Sequence, residues 1–122
     1  MRIDEVSQKS GLTADTIRFY EQSGMLPAIS RDDRGWRRFT PDDLDWLIVL
    51  SRLRSTGMPL KDVRAFASSA QGAQAETLEE QRKRLQILQN HAIALAQRKA
   101  DLEACEAYLK HKISTYTAIL DK

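Results

Sequence analysis

Four arginines, Arg31, Arg34, Arg37 and Arg38, crowd one short stretch around Gly35 and Trp36, opposed only by Asp32 and Asp33. Guanidinium groups carry a fixed charge and present paired N–H donors that match phosphate oxygens. The indole between them can stack or donate a hydrogen bond. Taken alone, such a stretch has a second reading as a solvated basic turn. A second set lies upstream, where Thr13, Thr16, Arg18 and Tyr20 follow one another at short intervals. Thr, Arg and Tyr are side chains that reach base edges and backbone phosphates, so the chemistry on offer is nucleic-acid contact. Catalysis is not expected: the chain has two histidines, one cysteine and no Gly-rich phosphate loop, hence no nucleophile–base pair. Cys105 stands alone, with His111 on another helical face and His91 two heptads back. A lone thiolate is not a metal site, so neither metal nor cofactor is expected. Its readings are a structural thiol, a redox or electrophile sensor, or a metal ligand completed by Cys105 of a second copy.

These residues need elements to hold them. Ile3 to Ser10 reads as a short amphipathic helix with Ile3, Val6 and Ser10 inward, ended by Gly11. Thr13 is a good N-cap for a second helix, with Asp15 in its first turn, running to about Ser23 before Gly24. Helix, Gly-Leu-Thr turn, helix is the spacing of a helix-turn-helix. Ile29 to Arg31 and Trp36 to Phe39 read as extended segments joined by a turn over Asp32-Asp33-Arg34-Gly35. Thr40-Pro41-Asp42-Asp43 is a helix start, and Leu44, Leu47, Ile48, Leu50 and Leu53 carry its apolar stripe to about Ser55. Leu60 to Ala67 forms a fourth helix that buries Val63 and Phe66.

All three prolines and four of the five glycines lie in the first half, and after Gly72 there is neither Gly nor Pro. Small polar residues from Ser68 to Gly72 mark the seam between the two regimes. Beyond it a heptad emerges. Its a positions are Leu78, Leu85, Ala92, Lys99, Glu106 and Ile113, and its d positions are Gln81, Leu88, Leu95, Leu102, Leu109 and Tyr116. Mostly Leu at d, with charge elsewhere, is a coiled-coil seam. A helix from Thr77 to His111 would run roughly 50 Å at 1.5 Å per residue. It cannot bury its own seam, so a partner is expected, and the simplest partner is a second copy.

Composition agrees with that division. The chain has 122 residues, 42% hydrophobic and 30% charged, with a net charge of +2, so charge alone does not mark a nucleic-acid binder. One cysteine excludes an intrachain disulfide framework and fits a reducing cytoplasm. No apolar run approaches the roughly 18 residues of a bilayer span. The opening Met-Arg-Ile-Asp-Glu lacks the apolar core of a signal peptide, and a cytoplasmic, nucleoid-associated chain is expected.

Five strings in this order, Ile3-Asp4-Glu5-Val6, Gly11-Leu12-Thr13 with Thr16-Ile17-Arg18-Phe19-Tyr20-Glu21, Gly24-Met25-Leu26, Gly35-Trp36-Arg37-Arg38-Phe39 and Gly57-Met58-Pro59-Leu60, resemble the MerR family of bacterial transcription regulators. The resemblance is dense over residues 1 to about 67, and the long helix that follows is similar to the family's dimerisation helix. It implies a mainly α fold: a winged helix-turn-helix over 1–70, a linker over 71–76, then a coiled-coil dimerisation helix and short C-terminal tail over 77–122. It implies a homodimer on a palindromic operator in double-stranded DNA, acting on a promoter through DNA distortion. RNA polymerase is an implied partner and a membrane is not. Thr16, Arg18 and Tyr20 match the family's recognition-helix contacts, and Trp36 and Arg37 match its wing contacts; Thr13, Arg34 and Arg38 join them on chemistry. Dimerisation falls to Leu78, Leu85, Leu88, Leu95, Leu102 and Leu109. The family commonly has Tyr where this chain has Phe19, Trp36 and Phe39; Phe19 and Phe39 are expected in the core. Pro59 stands where a capping Ser or Thr is usual and should shift the start of the fourth helix. Metal-sensing relatives carry several cysteines where this chain has Cys105 alone, and only nine residues follow Ile113, too few to enclose a drug-sized ligand.

Two other readings remain open at this point. A coiled-coil adaptor would dock protein rather than DNA, against which the Arg-rich hairpin speaks. An excisionase-like architectural protein shares the small winged fold but not the long seam.

Overall fold

Local signals in the first half each become an element boundary in the computed structural model, which describes residues 1–68 and 77–122. Helix α1 spans Ile3–Ser10 and α2 spans Ala14–Gln22. Between them Gly11 sits at φ 79°, where a side chain would be strained, and its N–H donates to Ser7 O at 3.1 Å. A two-residue pair follows, β1 at Ser30–Arg31 and β2 at Arg37–Arg38, antiparallel with Ser30 opposite Arg38 and Arg31 opposite Arg37. Helix α3 spans Pro41–Ser55 behind a complete capping box: Asp43 N–H donates to Thr40 Oγ1 at 3.1 Å and Thr40 N–H to Asp43 Oδ2 at 2.8 Å. Helix α4 spans Leu60–Ala67 with Pro59 as its N-cap, so the proline does not displace its start. Helix α5 spans Leu78–Leu120 and continues past His111 through residues expected as a tail. The linker expected over 71–76 lies outside the described residues, as does the seam beyond Ser68.

The strands are shorter than the extended segments expected from sequence, because only two rungs form. Phe39 pairs elsewhere: its N–H donates to Met1 O at 2.8 Å, and the Met1 α-amino group donates to Phe39 O at 2.9 Å.

The chain divides into two compact units, Met1–Ile87 and Leu88–Lys122, so the first turns of α5 belong with the N-terminal helices. Their attachment explains the boundary. Arg84 Nε donates to Phe66 O at 3.0 Å, its guanidinium lies over the rings of Trp46 and Phe66, and Ile87 packs against the core. The core of this unit gathers Val6, Ile17, Met25, Phe39, Leu47, Leu50, Met58, Val63 and Phe66. Burying each such side chain is worth about 1.5–3 kcal/mol. Ser10, a polar residue inside it, accepts from Leu12 N–H at 3.2 Å and is satisfied. In the second unit α5 has no buried residue.

Candidate nucleic-acid interface

Thr13 is held by its own capping role. Its Oγ1 accepts from Thr16 N–H at 3.1 Å and lies 2.9 Å from Thr16 Oγ1, so the two hydroxyls open α2 as a bonded pair. One turn on, Arg18 Nη1 donates to Asp15 Oδ1 at 2.9 Å in an exposed pair. Such a pair is worth about 0–1 kcal/mol, which leaves the guanidinium able to exchange its carboxylate for a phosphate or a base edge.

Two neighbours depart from expectation. Tyr20, expected among the DNA contacts, is 3% exposed and lies in the core, because i, i+3 spacing places it on the inward stripe with Ile17. Burial pushes its phenol above the usual tyrosine range, and Arg54 pulls it partly back. Phe19, expected in the core, is 41% exposed and lies under the Arg64 guanidinium, 5.5 Å from the ring centroid. Phe39 is buried as expected.

The hairpin is built around Asp32. Its Oδ1 accepts from Arg34 N–H and Trp36 N–H, each at 2.9 Å, while Gly35 takes φ 81° and its N–H donates to Asp32 O at 2.9 Å. Arg31 Nη1 donates to Gly35 O at 2.9 Å across the turn. Arg34 and Arg38 are exposed. Trp36 is 47% exposed, with Arg2 Cζ 3.9 Å from its ring centroid. Arg37, expected as a wing phosphate contact, is turned inward instead. Its Nε donates to Glu21 Oε1 at 2.8 Å, and the side chain is 19% exposed. Arg31 Nη2 lies 3.9 Å from the same carboxylate oxygen.

One body therefore presents Thr16 and Arg18 on α2 with Arg31, Arg34, Trp36 and Arg38 on the hairpin. Sequence reasoning missed Arg2, Arg64 and Glu21. The first two reach their rings across long sequence separations that no local spacing encodes, whereas Glu21, the lone acid late in α2, gave a signal that was not used.

Leu78, Leu85, Leu88, Leu95, Leu102 and Leu109, the leucines expected to dimerise, are all exposed, as is Cys105. Among the described residues no group of three or more His, Cys, Asp and Glu is placed to hold a metal. Among the described residues no helix is long and apolar enough to cross a membrane.

Comparison with known proteins gives this arrangement a context. Residues 1–70 match the family model described as MerR HTH family regulatory protein. An uncharacterized HTH-type transcriptional regulator of Haemophilus influenzae is 38% identical over 112 residues, spanning 92% of this chain and 80% of that protein. The crystal structure of HiNmlR, described as a MerR family regulator lacking the sensor domain, bound to promoter DNA, superposes with TM-score 0.80 at 36% identity, covering 96% and 86% of the two chains. A MerR family transcriptional regulator from Bacillus thuringiensis gives TM-score 0.76 at 26% identity, covering 94% and 97%.

Proposed function

The chain belongs to the MerR HTH family of regulatory proteins and is a transcription regulator rather than an enzyme, and from that premise we propose that it binds a palindromic operator as a homodimer and controls a promoter by distorting DNA. Entry of α2 into the major groove brings Thr16 and Arg18 to base edges, with Thr13 at the helix mouth near the backbone. The hairpin follows the adjacent phosphates through Arg34, Arg38 and the Trp36 indole, with Arg31 beside them. The observation that carries this reading is the coincidence of both basic sets in one body, tied by the 2.8 Å Glu21–Arg37 pair.

Exposed Leu95, Leu102 and Leu109 on α5 support the homodimer, since a long leucine-bearing helix face is stable in water only when covered. Two copies related by a twofold axis would present two α2 helices to two half-sites, which is the basis for a palindromic operator. Coupling to RNA polymerase and operation in the cytoplasm, on the nucleoid, complete the reading.

Selection of bound duplexes from a random pool by the purified chain tests it. A single inverted-repeat consensus is expected, bound with a steep salt dependence. Arg18→Ala should lower preference for that consensus over random duplex by about 1–3 kcal/mol. Recovery of no enriched sequence, together with no duplex binding at low salt, would remove the proposal.

A further inference from the structure

We propose that Glu21 is a positioning residue that clasps the wing to the recognition helix and withholds Arg37 from phosphate, so that it sets sequence preference without touching DNA. The inference rests on the DNA-binding reading above and deepens it.

Its basis is the strand register. Arg31 and Arg37 face each other directly across the two-stranded hairpin, and like charges in that relation destabilise a strand pair. The Glu21 carboxylate enters from α2 and meets both, Arg37 Nε at 2.8 Å and Arg31 Nη2 at 3.9 Å through one oxygen. The Arg37 and Glu21 side chains are 19% and 22% exposed, so this pair is shielded from water as the outer Arg18–Asp15 pair is not. Removing one member of a shielded pair leaves the other's charge uncompensated. The carboxylate thus does two things at once. It ties the wing to α2 across 16 positions of sequence, and it occupies a guanidinium that would otherwise seek a phosphate.

Specific binding requires base contacts from α2 and phosphate contacts from the wing to be made together, from a fixed relative pose. Random-sequence binding requires only charge. Loosening the clasp should therefore weaken the first and strengthen the second.

The experiment compares two probes, the duplex enriched by the wild-type chain and a random-sequence duplex of equal length, across a salt series. Glu21→Ala should bind the random duplex severalfold tighter, with a salt slope steeper by about one phosphate contact. Its preference for the enriched duplex should fall at least about tenfold, the scale of one misplaced base contact. Arg37→Gln should lose preference likewise but keep the wild-type slope. Asp33→Asn, which removes one negative charge from the hairpin turn without opening the clasp, should tighten both probes and keep the preference. Should Glu21→Ala melt poorly, Glu21→Gln retains the side-chain volume and the acceptor oxygen and should show the same changes in smaller measure. Unchanged preference and slope in folded Glu21→Ala and Glu21→Gln would overturn the clasp while leaving DNA binding standing. A slope one contact shallower in Arg37→Gln would do the same, by placing Arg37 on phosphate. A wild-type chain that enriches no duplex would remove the DNA reading and the clasp with it.

Discussion

Arg18 and Tyr20 are two positions apart on α2 and end in opposite surroundings, since two residues turn a helix through roughly 200°. Arg18 is paired at the surface, and Tyr20 is buried beside Ile17. The buried phenol makes stability depend on alkaline pH. Its pKa in the fold is raised by burial, so the folded state holds the proton to higher pH than the unfolded chain does. That contribution is complete below the ordinary tyrosine value of about 10 and is lost as pH rises through the folded value. Urea midpoints measured near neutrality and above about pH 10 should therefore separate wild type from Tyr20→Phe, with the variant losing less on the alkaline side. Parallel losses would show that Tyr20 is not the titrating group. Residue type alone placed arginines and threonines at the open face, because the chemistry of those side chains is local. It misplaced Tyr20 and Phe19, because which side of a short helix faces the core depends on packing by α1 and α3. The pairing of Arg37 with Glu21 was not legible, for Glu21 lies in a different element.

Helix starts and stops were the most readable features, since caps and glycine turns act within a few residues. Thr40 and Asp43 close a reciprocal box at the head of α3, which carries Leu47, Leu50 and Leu53 into the core. Thr40→Ala should cost about 1 kcal/mol. In a domain of this size the thermal midpoint should then fall by roughly 4–8 °C. An unshifted melt would mean that Asp43 and the helix dipole suffice without the threonine. The strands were the least readable elements. The turn over Asp32-Asp33-Arg34-Gly35 suggested longer extended segments on either side, yet Phe39 pairs with Met1, 38 positions away, and no turn signal announces so distant a pairing. The heptad announced a long helix, and α5 extends it to Leu120 since no Gly or Pro interrupts the sequence.

Covering α5 would take a partner, for which the proposed second copy is the candidate. Leu102 is 67% exposed in the single chain, and every seam leucine shares that condition in some degree. Replacing Leu95 and Leu102 together by Asp should yield a monomer by light scattering, because each substitution puts a charge into a dry seam. The double variant should retain its N-terminal fold while losing cooperative operator binding; a persistent dimer would locate the interface elsewhere. Heptad spacing is a one-dimensional pattern and can be read from sequence, whereas the attachment of the first turns of α5 to the N-terminal unit cannot. Contacts of Arg84 and Ile87 with the core are three-dimensional and carry no periodicity of their own. Those contacts leave the chain with two indoles in very different settings. Trp46 donates through Nε1 to Met25 O at 2.8 Å, lies stacked on Phe66 with ring centroids 5.4 Å apart, and has the Arg84 guanidinium above it. Trp36 stands half in solvent on the hairpin with the Arg2 guanidinium over its ring. Light emitted by the two should therefore report separate events: if the hairpin meets DNA as proposed, quenching of Trp36 should follow the arrival of DNA, while a red shift of Trp46 should follow the release of α5 from the core, and a single tryptophan-to-phenylalanine substitution at either position should isolate the other signal.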